Sequence, residues 1–259
     1  MKRLLTFAVA GLLAVPLLAQ ESNSERLLLP VFTPPVHGAH GSEFHTELRM
    51  ANLGEDPILL LGLEGDCHFI CPPVPVYILD AGAEVGPGDI DFNGSPGRFV
   101  FVAQDQIDSL SMNLRVHDVT HQAENFGTEI PIVRESQFVD GPITFVGVPT
   151  DPRFRNSLRI YASFPMDVMV TVGDRQPVRV SLTGPDITFP PTTIPDLSKP
   201  AYGFFSDFPI DGQPVRVTVE PALNIIISSQ LLPFETPIWA FITVTNNETQ
   251  AIATITPQP

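Results

Sequence analysis

Three groups of residues in this 259-residue sequence have types and spacings that chemistry can use. The most specific is Asp89-Ile-Asp91-Phe-Asn93-Gly94-Ser95. It reproduces the Asp-x-Asp-x-Asn-Gly opening of a calcium loop, where alternate side-chain oxygens converge and glycine permits the sharp turn. The twelfth position is Val100, where the helical-hand loop carries its bidentate Glu. A site here must therefore borrow a carboxylate, with Glu84 and Asp80 nearest upstream. Its affinity is expected at about 10⁻⁴–10⁻³ M, as in extracellular modules. The competing reading is an Asn-Gly hairpin turn leading into a strand over 98–103, its acids simply solvated. No cofactor is expected unless Asp89, Asp91 and Asn93 hold calcium.

The histidines form the second group. His37, His40 and His45 lie among Glu43 and Glu47, and His117-Asp-Val-Thr-His121 follows later. The latter resembles the zinc-protease helix signature with Asp for Glu. That chemistry needs both imidazoles on one helical face, and this segment continues a strand. Only a hairpin that folds His121 back toward His117 would let the two share an ion. Otherwise both clusters are solvated polar turns.

Cys67 and Cys71 are the only cysteines. In an exported chain an isolated pair reads first as a disulfide. Extended backbone would part the two Cα atoms by about 13 Å, and a bridge tolerates at most about 7 Å, so a tight turn is required. Gly65, Pro72 and Pro73 supply turn residues. A metal site through Cys67, His68 and Cys71, or a redox pair, is the alternative. Nucleophilic catalysis has no foothold: there is no Gly-x-Ser-x-Gly elbow and no phosphate-cradling glycine loop. Acidic pairs are plentiful, as an acidic surface produces by chance. Tyr202, Phe204, Phe205 and Phe208 gather in a Gly/Pro-rich segment read as a loop. They form either an exposed platform for a sugar or hydrophobic partner, or a cover folded onto a core.

The elements that must position these groups are strands. Helical periodicity is almost absent, and short β-branched and aromatic runs recur between Pro, Gly, Asn and Asp. Phe44, Thr46, Leu48 and Met50 alternate with His45, Glu47 and Arg49, the period-2 signature of a strand with one face inward. Runs follow about every ten residues, which is β-sandwich spacing. Phe44 to Met50 matches Phe154 to Ile160, and Leu114 to Gln122 parallels Ile242 to Gln250. The expected fold is all-β: two tandem immunoglobulin-like antiparallel β-sandwich domains, residues 20–148 and 149–259, with one large two-sheet sandwich as the alternative.

Residues 1–19 read as a secretory signal peptide: Met1-Lys2-Arg3, an uncharged run to Leu18, and a cut after Ala19. The mature chain is then exported, periplasmic or extracellular. No later stretch reaches the 18 or so apolar residues of a membrane span. The net charge is −15, from 29 acidic and 14 basic residues. Lys199 is the only lysine beyond the leader. No basic cluster exists to release counterions from a phosphate backbone, so a nucleic-acid partner is not expected. Two β-sandwiches behind a leader resemble the layout of periplasmic pilus chaperones. The basic pair with which those proteins anchor a subunit carboxylate has no counterpart here.

The function expected is non-enzymatic binding or structural work at the cell envelope or outside the cell, with a protein or glycan partner. A carbohydrate- or calcium-dependent recognition module is second and a hydrolase third. If the cysteine pair is bridged, thiol counting on the denatured, unreduced exported protein will find no free sulfhydryl. Two free thiols would move the pair to the metal or redox reading.

Overall fold

A computed structural model describes residues 24–32, 35–62, 74–86, 95–121, 126–184, 186–189, 192–195, 199–222, 226–227, 230–231 and 236–257. The expected leader, Cys67 and Cys71, and Asp89, Asp91 and Asn93 lie outside the described residues. In chain order the first strands are β1 (Ser24–Phe32), β2 (Val36–His37), β3 (Glu43–Asn52), β4 (Ile58–Gly62), β5 (Val74–Leu79) and β6 (Glu84–Val85). There follow β7 (Ser95–Ala103), β8 (Leu110–Asp118), β9 (Thr128–Ile130), β10 (Val133–Arg134) and β11 (Ile143–Val148). Next come β12 (Phe154–Ala162), β13 (Met166–Val172), β14 (Val178–Leu182), β15 (Asp186–Phe189), β16 (Thr192–Pro195) and β17 (Ala201–Phe205). The last are β18 (Val215–Pro221), β19 (Ile226–Ile227), β20 (Gln230–Leu231), β21 (Ile238–Asn246) and β22 (Ile252–Ile255).

The chain is all-β and its main sheets are antiparallel layers of β-sandwich type, as the strand spacing predicts. Sheet I has the order β10-β1-β7-β4-β5, and sheet II runs β2-β3-β8-β9 with β6 also paired to β3. Sheet III runs β17-β12-β21-β22 and sheet IV runs β11-β18-β13-β14. β15–β16 and β19–β20 are separate two-stranded hairpins. Sheets I and II share one hydrophobic cluster, which includes Leu29, Leu48, Leu60, Val100 and Leu114. Sheets III and IV share another, which includes Phe145, Leu158, Val168, Val217 and Ile242.

The sequence match between the two halves reappears as register. Leu48 faces Leu114 across β3–β8, and Leu158 faces Ile242 across β12–β21. Phe44 faces Asp118, and Phe154 faces Asn246. The next strand continues the likeness, with Leu114 opposite Ile130 and Ile242 opposite Ile255. Leu48 and Leu158 are both buried, while Arg49 and Arg159 point to the other face. β11 lies before the expected division at 148/149. Even so, it pairs with β18, and Ile143, Phe145 and Val148 enter the second cluster.

Sheet III is buried on both faces. Leu158, Ile160, Ile238, Ala240 and Ile242 alternate into its own cluster. The side chains between them point the opposite way, and Tyr161, Trp239 and Phe241 belong to the first cluster instead. The Tyr161 ring lies 5.9 Å from Trp239, 6.4 Å from Phe241 and 5.3 Å from Tyr202. Its hydroxyl donates to the Pro96 carbonyl at 3.0 Å. The approach is close enough that a Cβ on Gly97 would sit 2.8 Å from Tyr161 Cε1, so glycine is required there. Beside this contact Arg26 on β1 donates two hydrogen bonds to Glu135, which also accepts from Ser163 Oγ. One carboxylate thus ties a residue before β2 to one after β12.

Tyr161→Ala removes a fully buried ring and is expected to cost about 3–5 kcal/mol. Tyr161→Phe keeps the ring, loses one hydrogen bond, and should cost about 1 kcal/mol. Denaturant unfolding of the two variants checks the difference; an unchanged midpoint for Tyr161→Ala would contradict the burial.

Candidate functional site

Chemistry-bearing side chains gather most densely on the outer face of sheet II. Alternation along β3 sends Phe44, Thr46, Leu48 and Met50 inward and Glu43, His45, Glu47 and Arg49 outward. The opposite strand β8 does the same with Leu114 and Val116 against Arg115 and His117. Register then decides who meets whom. His45 stands directly opposite His117, and Glu47 opposite Arg115. The two imidazole centroids are 6.3 Å apart with their planes tilted by 36°. His45 Nε2 lies 3.0 Å from Glu43 Oε1, and His117 Nε2 lies 3.8 Å from Glu47 Oε1. His37 sits opposite Glu43 at the β2 edge of the same sheet.

The hairpin route to a His117–His121 pair is not taken. β8 ends at Asp118, and His121 turns back to Asp118, with Nδ1 2.8 Å from Oδ2. Asp118 has no solvent exposure. Its Oδ1 accepts from Thr120 N at 3.0 Å, Thr120 Oγ1 at 2.6 Å and Glu43 N at 3.3 Å. Burial works against the charge, but the hydrogen bonds from Thr120 and His121 outweigh it and hold the carboxyl well below the ordinary aspartate range. Asn246, in the matching register position, accepts from Glu248 N at 2.8 Å and Thr249 N at 3.0 Å. The same turn is thus built twice, once with a carboxylate and once with an amide.

At the Arg26–Glu135–Ser163 contact, burial again opposes ionisation. The hydrogen bonds from Arg26 and Ser163 and the Arg26 charge prevail, and Glu135 is held below the usual carboxylate range. Arg26 also lies over the Phe99 ring, 4.5 Å from its centroid.

The aromatic segment is a strand, not a loop: Ala201–Phe205 is β17, hydrogen-bonded to β12. Gly and Pro around it obscure an alternating pattern that pairing with sheet III reveals. Phe205 is buried in the second cluster, with Phe208 packed edge-on at 5.6 Å. Tyr202 packs against the first cluster, and its hydroxyl accepts from Arg159 at 3.0 Å. Phe204 alone is substantially exposed, at 47%. The four rings go to different places and form no common platform.

The His45–His117 pair was legible only in part. Both residues stand at outward positions of strands that the sequence marks. Which residue faces which is set by register, and that comes from the fold. Among the described residues, no group of three or more His, Cys, Asp or Glu side chains is placed to hold a metal ion. Nor, among them, is any helix long and apolar enough to cross a membrane. No protein-family model, curated protein or solved structure matches the chain.

Asp118 provides the test of this region. Its ionised form is favoured by the fold, so its contribution to stability is complete above about pH 4 and declines as acid is added. Asp118→Ala strands the turn donors and should cost about 1–3 kcal/mol at neutral pH. Asp118→Asn copies the Asn246 turn, so it should keep the fold and flatten the acid limb. Thermal melts from pH 7 to pH 2 measure both effects, and an unchanged acid limb for Asp118→Asn would refute the assignment.

Proposed function

We propose that the chain is an exported, non-enzymatic protein made of two tandem β-sandwich units that act together as one body. Its work is binding or structural, at the cell envelope or outside the cell, on a protein or glycan partner. The observation that carries this reading is the double burial of sheet III. Tyr161, Trp239 and Phe241 leave their own sandwich and complete the hydrophobic cluster of the other. Such a contact resists hinge motion and suits a spacer or a rigid binding surface.

The use made of the polar groups supports the same reading. The buried carboxylate Asp118 caps a turn, and Glu135 joins the two halves. Asn52, also buried, donates from Nδ2 to the Leu79 carbonyl at 3.0 Å and accepts from Gly54 N at 2.9 Å through Oδ1. Each of these groups is satisfied by architecture, with no substrate needed to complete it. Of the four rings Tyr202, Phe204, Phe205 and Phe208, only Phe204 stays exposed enough for recognition.

The test immobilises the mature protein, exposes it to its own solubilised envelope fraction, and identifies and repurifies what is retained. Rebinding of a defined protein or glycan by the wild type, and its loss when Tyr161→Ala separates the halves, is the expected result. Turnover of ester, peptide or glycoside substrates that a single surface substitution abolishes would sink the reading.

A further inference from the structure

His45 and His117 are not there because the fold needs them. In the matching strand pair β12–β21, the residues at the same register positions are Arg155 and Thr245, directly opposite each other. Glu43 and Glu47 correspond in the same way to Arg153 and Ser157. The backbone arrangement therefore forms with a cationic and hydroxyl set in one sheet and an imidazole and carboxylate set in the other. The second set invites a cation.

We propose that His45 and His117 form a two-imidazole site for a borderline divalent transition ion, with Glu43 orienting the His45 ring and Glu47 adding negative charge beside His117. Imidazole suits copper, nickel and zinc, and copper(II) binds tightest of the three in the general divalent order. Metal–nitrogen bonds of about 2.0–2.1 Å set two rings on one tetrahedral ion with centres about 5 Å apart. Rotation of the part-exposed His45 ring toward the largely buried His117 ring closes the observed 6.3 Å to that distance. Glu43 Oε1 lies within hydrogen-bond distance of His45 Nε2, the arrangement that fixes a tautomer and leaves the other nitrogen as lone-pair donor, and Glu47 places its charge 3.8 Å from His117 Nε2. Water completes the coordination, in keeping with the absence of a third converging side chain among the described residues.

The neighbouring cations are engaged by other partners. Arg115 donates to Asn113 Oδ1 at 2.6 Å and to the Phe126 carbonyl at 3.3 Å. Arg49 lies 3.9 Å from Glu47, on the far side of that residue from His45 in sequence. The ion also enters the field of a chain with net charge −15.

The experiment titrates copper(II), nickel(II) and zinc(II) chloride into the full exported chain in a non-coordinating buffer. Calorimetry reads affinity and stoichiometry, and electron paramagnetic resonance reads the nitrogen donors of copper. One copper per chain with two nitrogen donors is expected, weakened at least about tenfold by His45→Ala or by His117→Ala. His45→Arg combined with His117→Thr installs the pair that β12–β21 already accommodates, so it should fold and lose the site. His121→Ala, with its ring turned to Asp118, should leave binding unchanged. Copper affinity equal to wild type in the Arg/Thr double variant, or loss with His121→Ala instead, would overturn the assignment.

Discussion

The structure depends on one sheet being apolar on both faces. A strand ordinarily divides its side chains between core and solvent, and β12 and β21 divide theirs between two cores. Leu158, Ile160, Ala240 and Ile242 serve one cluster, and Tyr161, Trp239 and Phe241 serve the other. Each buried aromatic ring contributes on the order of 2–3 kcal/mol through area alone, so the contact is too costly to open casually. The Tyr161 hydroxyl needs a partner in that dry setting, and burial pushes its pKa up. Pro96 supplies the carbonyl, which fixes the entry to β7 against sheet III.

Around this contact the strand pairs β3–β8 and β12–β21 share a register while differing in outward chemistry. Matching positions carry Asp118 and Asn246 in the turn, His117 and Thr245 before it, and His45 and Arg155 opposite. The inward residues stay apolar in both because each must fill a sandwich. Outward residues answer to different neighbours. In sheet III they meet another core at Tyr161 and Phe241. In sheet II they meet solvent and one another, and there the imidazoles and carboxylates collect.

Polar groups near the contact behave as supports. Glu135 sits between Arg26 and Ser163, so a single ionised carboxylate holds three segments that are far apart in sequence. Removing one partner of such a cluster leaves the others desolvated, which is why paired groups of this kind stiffen a structure more than their net energy suggests. Phe204, exposed on β17, lies 5.7 Å from the Arg159 guanidinium, whose Nη1 also bonds Tyr202.

By itself the sequence determined what local physics can settle. Alternation at Phe44 to Met50 placed a strand and sorted its faces, because side chains on extended backbone reverse with every residue. Ten-residue spacing with turn signals announced antiparallel sheets, and the paired Phe-x-x-x-Leu-Arg segments announced two strands of one register. The run Ile238-Trp239-Ala240-Phe241-Ile242 carried a further signal, since an unbroken apolar strand implies burial on both faces. Tertiary structure alone decided where those faces go. Ala201–Phe205 became a strand because β12 offered it a hydrogen-bonding edge, although Pro200 and Gly203 read as loop residues. His117 met His45 instead of His121 because pairing across sheet II is set by strand register, while the tight turn after Asp118 directs His121 elsewhere. Periodicity fixes which side of a strand a residue occupies, and only long-range packing chooses its neighbour there.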